Sequence, residues 1–339
     1  MSYPITLLVN ISSGWEHSHV PAKQAERLAV VLDSLRHNTE GELHRILVID
    51  QPSPNWSGQR NCRAVARSYD AEYHIKPEPF TGPTASGNFG MFLVDTEMVA
   101  CIQDDVYFTK GAFDYMQYVV DSNDHVPWGM LGWSIIFANA LIRAGHLFDK
   151  SDFYTQPHKL ESFRLTEDYK THIVEGGFTW GHPYFQKHSS GPAYILRKSI
   201  WEQVGGYHEA LLAGDEDYGE NCWWVAKKYC IQLPTPPVLH YEGACGWPDW
   251  LPPSSLSFQH GWRTRPHCPC EMKNRGTKSF ERMAKVDWDS ELLRLDFPLP
   301  GDCRDEQITL DRDLMASRTG ALQDEKDKVI ANLPVVASL

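Results

Sequence analysis

The chain has 339 residues, with 32 Lys and Arg against 44 Asp and Glu, and its formal net charge at pH 7 is −12. This length suits one large domain or two small ones and is enough to bury a substantial core. The acidic balance argues against a large nonspecific nucleic-acid surface, which would need clustered Lys and Arg side chains.

The sequence shows no sign of export or of a membrane span. Its first residues lack the basic stretch and long apolar core of a signal peptide. No apolar run approaches the roughly 18 residues of a membrane-spanning helix. The eight Cys are scattered along the chain, and without an export signal reduced thiols are the default. We therefore expect a cytoplasmic protein without a membrane span.

Apolar runs and amphipathic segments alternate in the first 75 residues. The pattern predicts strands at 5–10, 45–50 and, more weakly, 72–75, with helices at 23–37 and 57–69. Strands that alternate with helices favour a parallel sheet with right-handed crossovers.

A buried strand leads directly into a pair of acids. The apolar run 98–102 ends in Gln103, Asp104 and Asp105. Ligands of open α/β sheets gather at the carboxyl ends of such strands. Two adjacent carboxylates need a partner in a dry core, and a divalent cation that also binds phosphate can provide it. The stretch predicts a metal and phosphate site; the alternative is a strand end with two solvated acids.

A glycine-rich stretch, 80–90, precedes this strand. Glycines allow the backbone to approach a pyrophosphate closely. A structural turn explains the same residues equally well.

The predicted elements continue as a helix, two strands and a short helix that stops at a glycine pair; they lie at 111–120, 128–133, 191–197 and 198–204. Glu216 and Asp217 open a further helix predicted to reach about Tyr229. Acids at a helix start are favoured by the helix dipole, so an ordinary first-turn cluster also explains them. His240 ends a short strand, and a lone His can be either structural or a ligand.

Aromatic and His side chains dominate two long segments without clear periodicity. Segment 149–190 includes Trp180 and His182, and segment 246–270 includes Trp247. Long irregular segments inside a compact domain are usually functional or mobile. Four potential zinc ligands match no standard closed site in their spacing; they are His260, His267, Cys268 and Cys270.

The order of these signals resembles the nucleotide-sugar glycosyltransferases of the GT-A fold, most closely the large inverting family 2. The strongest matches are Ser86-Gly-Asn-Phe-Gly90 with Ile102-Gln-Asp-Asp105, and the segment 197–209 followed by Glu216-Asp217. The resemblance covers about residues 3–245. It implies an α/β fold with a Rossmann-like, mostly parallel central sheet flanked by helices.

The resemblance also implies a division of the chain. Residues 1–110 would form the donor-binding half, and residues 111–270 the acceptor and catalytic half of the same domain. Residues 271–339 would be a C-terminal extension that is partly helical or flexible, which agrees with their charged composition.

Carried over by position, the resemblance implies roles in binding a nucleotide-sugar donor. Asn10 and Ile11 would hold the nucleotide base, and Asp50 would hydrogen-bond it. Asn88 would lie beside the phosphates and sugar, and Asp104 near the ribose or the metal.

The remaining implied roles concern the metal, the base and the acceptor. Asp105 would bind a divalent metal, Mn²⁺ or Mg²⁺, and His240 would complete the metal or pyrophosphate contacts. Asp217 would be the general base that takes the acceptor proton, with Glu216 orienting acceptor or sugar. Three further side chains lie where acceptor loops are expected, and these are Trp180, His182 and Trp247.

The sequence departs from the family at three positions. Gln103 stands where the usual triple-acid pattern begins, Val9 stands where the family often has proline, and Tyr218-Gly219 follows the second acid pair. These departures leave the metal carboxylate and the base in place.

The implied activity is metal-dependent, inverting transfer from a UDP-sugar to an acceptor hydroxyl. Saccharides and glycoconjugates remain open as acceptors, and so does a modified DNA base. A nucleotidyltransferase of related fold is an alternative, although residues 10–21 lack the Lys or Arg that would hold a triphosphate. A non-catalytic carbohydrate-binding protein is another, since the Trp-rich segment 247–262 could stack on sugar rings.

Overall fold

The computed structural model describes residues 2–12, 23–51, 56–76, 83–122, 127–143, 145, 147–161, 163, 184–186, 192–207, 218–219, 222, 226, 228–233 and 235–241.

Eleven strands lie in the described residues. In chain order they are β1 (Ile5–Ile11), β2 (Arg45–Asp50), β3 (Glu72–Ile75), β4 (Met98–Gln103), β5 (Val106–Phe108), β6 (Trp128–Gly132), β7 (Ile135–Phe137), β8 (Tyr184–Gln186), β9 (Ala193–Arg197), β10 (Tyr229–Gln232) and β11 (Val238–His240).

Eight helices accompany these strands in the same described ranges. They are α1 (Gln24–Asn38), α2 (Trp56–Ser68), α3 (Pro83–Leu93), α4 (Ala112–Ser122), α5 (Ala138–Arg143), α6 (Asp152–Thr155), α7 (His158–Glu161) and α8 (Lys198–Gln203).

Eight of the strands form a central sheet in the order β3-β2-β1-β4-β9-β6-β10-β8. The pairs β3–β2, β2–β1, β1–β4 and β6–β10 are parallel, whereas β9 pairs antiparallel with both β4 and β6. Only β9 and β8 therefore oppose the common direction of the other six strands in this sheet. The predicted α/β fold with a mostly parallel central sheet is confirmed.

Side chains that alternate along the strands create one core on each face of the sheet. Leu7 and Val9 pack in a cluster with Leu28 of α1, which also takes in buried residues of α4. Leu8 points the other way into a cluster with Met91 of α3, which also takes in α8. The helices therefore cover both faces, as expected for strands that are apolar throughout.

A second, smaller sheet stands at the carboxyl end of the central one. It has three strands in the order β5-β11-β7, with β11 antiparallel to β5 and parallel to β7. The two-residue turn Asp104–Asp105 connects β4 of the large sheet to β5 of the small one. We call this turn the acid turn; it ties the two sheets together.

One predicted element is wrong, and several short ones were not predicted. The helix expected to reach Tyr229 ends earlier, because Tyr229–Gln232 is β10 of the central sheet. Its partner β8 lies inside segment 149–190, where the aromatic and glycine content hid any alternation. Among the described helices, none is both long and apolar enough to cross a membrane.

Candidate active site

The acid turn is held in place from both sides by backbone hydrogen bonds. The N–H of Gln103 donates to the carbonyl of Pro192 at 2.9 Å, just before β9. The N–H of Tyr241 donates to the carbonyl of Asp105 at 2.9 Å, just after β11. The two acids are therefore fixed between both sheets, at the edge where parallel strands present ligand sites.

Asp105 faces His240 across this turn. The imidazole Nε2 lies 3.1 Å from the carboxylate Oδ2, and both side chains are buried. Asp105 Oδ1 and His240 Nδ1 are also buried, and neither has a hydrogen-bond partner among the described residues. Buried polar atoms are nearly always satisfied, so these two atoms are suited to contact a bound ligand such as a cation.

The surroundings keep the Asp105 carboxylate in its charged form. Burial alone would raise the pKa of Asp105, but the charge and hydrogen bond of His240 outweigh burial and lower that pKa below its ordinary value. The guanidinium of Arg27 acts in the same direction. A charged carboxylate beside an imidazole is a donor set suited to a divalent cation.

In this structure the 3.1 Å contact between Asp105 and His240 is a hydrogen bond. A cation with ligand bonds of about 2.1 Å holds neighbouring octahedral ligands about 3.0 Å apart, so a carboxylate and a neutral imidazole at this distance are also compatible with one shared cation. No group of three or more His, Cys, Asp or Glu suited to a metal is present among the described residues. Asp105 and His240 would therefore hold the ion while most of its coordination comes from elsewhere.

Asp104 points away from this pair into a closed polar cluster. Its Oδ2 lies 3.1 Å from Nη2 of Arg27 and accepts a hydrogen bond from Nε2 of Gln24. Arg27 in turn donates to Oε1 of Gln24. Burial raises the pKa of Asp104, and the Arg27 charge opposes that rise.

Gln24 and Arg27 were missed by the sequence analysis, although a signal was present. Both lie in the buried stripe of α1 together with Leu28, Val31 and Leu35. A polar pair one helical turn apart inside an apolar stripe requires a buried partner.

Asp50 lies at the carboxyl end of β2 and is fully buried. Its Oδ1 accepts the N–H of Gln51 at 2.8 Å, and its Oδ2 accepts the hydroxyl of Tyr73. Asp50 and Asp104 together contribute to raising the pKa of the Cys62 thiol to about 12, although burial of that thiol is the largest cause. The implied contact of Asp50 with a base remains a prediction.

Asn10 and Ile11 end β1 beside the acid turn. Ile11 pairs with Asp50 and buries its side chain in the core, so its backbone is what remains for a ligand. Asn10 pairs with Gln103 on the side of α3, and its buried Oδ1 has no partner in the described part of the chain. The same holds for Ser86 Oγ on α3, a residue that the sequence analysis named within the matched segment 86–90 but gave no role.

Asn88 uses its amide inside the protein. Its Nδ2 donates to the carbonyl of Tyr207 at 2.9 Å, and its Oδ1 accepts the N–H of the same residue at 2.9 Å. Both polar atoms of the Asn88 amide therefore have protein partners in this structure. The implied place of Asn88 beside the donor phosphates and sugar remains a prediction.

A further buried hydroxyl lies near the acids. Tyr154 of α6 packs on Tyr241 with ring centroids 4.9 Å apart. Its hydroxyl is buried without a hydrogen-bond partner among the described residues. Burial raises the pKa of Tyr154, and the charges of Asp105 and Asp104 raise it further.

The other predicted site residues lie outside the described residues, and their roles remain predictions. They are Glu216, Asp217, Trp180, His182, Trp247 and the four potential zinc ligands His260, His267, Cys268 and Cys270.

The strand order, the acid turn and the small second sheet agree with the mostly parallel α/β architecture that the sequence resemblance implies. No protein-family model and no curated protein sequence matches the chain. Solved structures are similar in fold. The glucosyl-3-phosphoglycerate synthase of Mycobacterium tuberculosis, in complex with Mn²⁺, UDP and glucosyl-3-phosphoglycerate, is 8% identical, with 59% of each chain covered and a TM-score of 0.36.

Two further solved structures are similar at the same level. TarS of S. aureus is 13% identical, with 70% of this chain and 60% of that one covered and a TM-score of 0.44. The mannosyltransferase PcManGT of Pyrobaculum calidifontis, in complex with GDP-Man and Mn²⁺, is 12% identical, with 99% and 77% covered and a TM-score of 0.47. The chain spans 59% and 60% of the first two proteins.

Proposed function

We propose that the protein is a metal-dependent glycosyltransferase that uses a nucleoside-diphosphate sugar. The observation that carries this proposal is the Asp105–His240 pair, with its 3.1 Å separation and its two orphaned buried atoms at the carboxyl edge of the sheet. A pair of protein ligands leaves room on a cation for diphosphate oxygens, which is how phosphate-bound divalent ions are commonly held.

Each residue then has a definite task in the transfer. When bound, the cation stabilises the negative charge that grows on the departing diphosphate. Asp105 and His240 hold the cation, and the two-sided backbone anchoring of the acid turn keeps them in register. Asn10 and Ser86 offer buried oxygens to the donor on the α3 side.

The finer parts of the proposal rest on the sequence motifs. Asp217 removes the proton of the acceptor hydroxyl as general base, and Glu216 orients the acceptor or sugar. Attack from the face opposite the leaving group inverts the anomeric centre. The donor is a UDP-sugar, and Trp180, His182 and Trp247 lie on the acceptor side.

A thermal-stability panel tests donor binding. The protein is heated with UDP, GDP and their sugar conjugates in the presence of Mn²⁺, Mg²⁺ or a chelator. A ligand at 100 times its dissociation constant stabilises the fold by about 2.7 kcal/mol. We expect one nucleotide to raise the melting temperature only with a metal, and expect Asp105→Asn and His240→Ala to lose that shift.

Asp95→Asn is the matched control, because this exposed carboxylate lies near the opposite end of β4. It should keep the nucleotide-dependent shift in full. A wild-type protein that is folded but shows no shift with any nucleotide and metal would refute the proposal. Transfer itself is tested with Asp217→Asn, which should lose turnover and keep the nucleotide-dependent shift.

A further inference from the structure

Arg27 is a charged side chain that lies almost completely inside the protein. It is 2% exposed and ranks among the largest fully buried side chains of the described residues. Its Nη2 stands 3.1 Å from Oδ2 of Asp104, and Gln24 bridges the two through hydrogen bonds to both. Burying a guanidinium is costly unless it is paired, so Arg27 and Asp104 each depend on the other to remain buried.

The cluster stands directly beside the candidate cation ligand. Asp104 and Asp105 are adjacent in the acid turn, and both are buried. Their carboxylates nevertheless face different partners, Arg27 for Asp104 and His240 for Asp105. A cation at Asp105 would therefore meet one available carboxylate and a fixed positive charge nearby.

We propose that Arg27 is a positioning residue that withdraws Asp104 from the cation site, so that Asp105 alone of the two acid-turn carboxylates binds the cation. The inference rests on the proposed function and adds a regulation to it. A cation site formed by one carboxylate and one imidazole, with a guanidinium nearby, carries little net negative charge and therefore binds a divalent cation weakly when no nucleotide is present. The diphosphate of the donor supplies the missing negative charge, so cation and donor bind together and the cation does not load alone.

Direct Mn²⁺ binding without nucleotide tests this inference. Free Mn²⁺ is measured by electron paramagnetic resonance as the ion is titrated into the folded protein. Arg27→Met should tighten Mn²⁺ binding about tenfold, because a nearby charge in a partly screened site changes affinity on that scale. The same variant should reduce the gain in Mn²⁺ affinity that a nucleoside diphosphate produces.

Two companion variants separate positioning from direct ligation. Asp104→Asn alone leaves the buried guanidinium uncompensated, so Mn²⁺ binding should weaken about tenfold. The double variant Arg27→Met/Asp104→Asn removes both charges and should return to near the wild-type affinity. If Asp104 were itself a metal ligand, the double variant would bind Mn²⁺ clearly more weakly than wild type, and that result would overturn the inference.

Arg27→Lys and Arg45→Met are the controls. Arg27→Lys keeps the charge but not the forked geometry, so Mn²⁺ affinity should stay within about threefold of wild type. Arg45 also pairs with carboxylates, those of Glu72 and Asp95, but away from the acid turn. Arg45→Met should lower the melting temperature and leave Mn²⁺ affinity unchanged.

The set of variants tests the role of Arg27 even if one of them folds poorly. If Arg27→Met unfolds, the comparison of the double variant with wild type still discriminates. Unchanged or weaker Mn²⁺ binding by folded Arg27→Met would overturn the inference. If wild-type protein binds Mn²⁺ together with a nucleoside diphosphate in that case, the proposed function stands and only the role of Arg27 fails.

Discussion

Replacing Asn88 by Ala should destabilise the fold strongly, because Asn88 fastens the segment after α8 to α3. Its amide exchanges two hydrogen bonds of 2.9 Å with the backbone of Tyr207. The hydroxyl of Tyr207 then meets the hydroxyl of Tyr194 at 2.8 Å and Sγ of Cys101 at 3.4 Å. One amide therefore positions a buried polar chain under the central sheet.

The expected loss of unfolding free energy follows from the two backbone groups that Asn88→Ala leaves without hydrogen bonds. The N–H and C=O of Tyr207 would both lose their partner at a place where Asn88 is 1% exposed and Tyr207 is 4% exposed. Each unsatisfied buried group costs about 1–3 kcal/mol, so the loss of stability from two such groups should be about 2–6 kcal/mol. A cost of this size is far above that of an ordinary surface change, which stays within about 0.5 kcal/mol.

Urea unfolding followed by intrinsic fluorescence measures this loss. Asn61→Ala is the matched control, because Asn61 is an exposed amide in α2 and should change stability by less than about 0.5 kcal/mol. An Asn88→Ala protein as stable as Asn61→Ala would refute the reasoning. If the Asn88→Ala protein were stable but unable to bind nucleotide, Asn88 would contribute to donor binding and not to the stability of the fold.

Three further predictions concern packing, an orphaned hydroxyl and acid sensitivity. Gly90→Ala should cost about 1–3 kcal/mol by thermal unfolding, because a Cβ there would overlap the Leu8 side chain; unchanged stability would mean that α3 shifts freely. Tyr154→Phe should stabilise the ligand-free protein by about 1 kcal/mol in urea, since it removes a buried hydroxyl without a described partner; a loss of stability would reveal a hydrogen bond. The hydrogen bond from Arg45 lowers the pKa of Glu72 below 4.5, so the stability it contributes is present above that value and is lost as pH falls below it. Glu72→Gln should therefore be less stable than wild type at about pH 6, and this difference in stability should shrink as the pH falls below 4.5; a difference that does not depend on pH would contradict this.

The regular part of the fold could be predicted because its signals are local. Strands β1, β2 and β4 are short apolar runs, and α1 carries its buried residues at helical spacing. β8 and β10 have three and four residues, too few for a periodicity to stand out. β10 forms a strand because it pairs with β8 on one side and with β6 on the other. Pairing between distant segments cannot be predicted from the sequence of one segment alone.

The sequence could predict that Asp104, Asp105 and His240 belong to one candidate site, but not which partner each carboxylate faces. An apolar run ending in two acids identified Asp104 and Asp105 as a pair, and the motif order added His240. That Asp104 turns to Arg27 depends on the way α1 packs against the acid turn, which is a tertiary fact. The same holds for Asn88, whose amide binds a backbone segment 119 residues later in the chain.

The pairing of Asp105 with His240 joins residues 135 positions apart. A ribosome that has added every residue up to Pro237 has therefore made the carboxylate and not its imidazole. The growing chain therefore carries Asp105 without its partner while the next 135 residues are added. The pair can form only after β11 has emerged and paired with β5 in the small sheet.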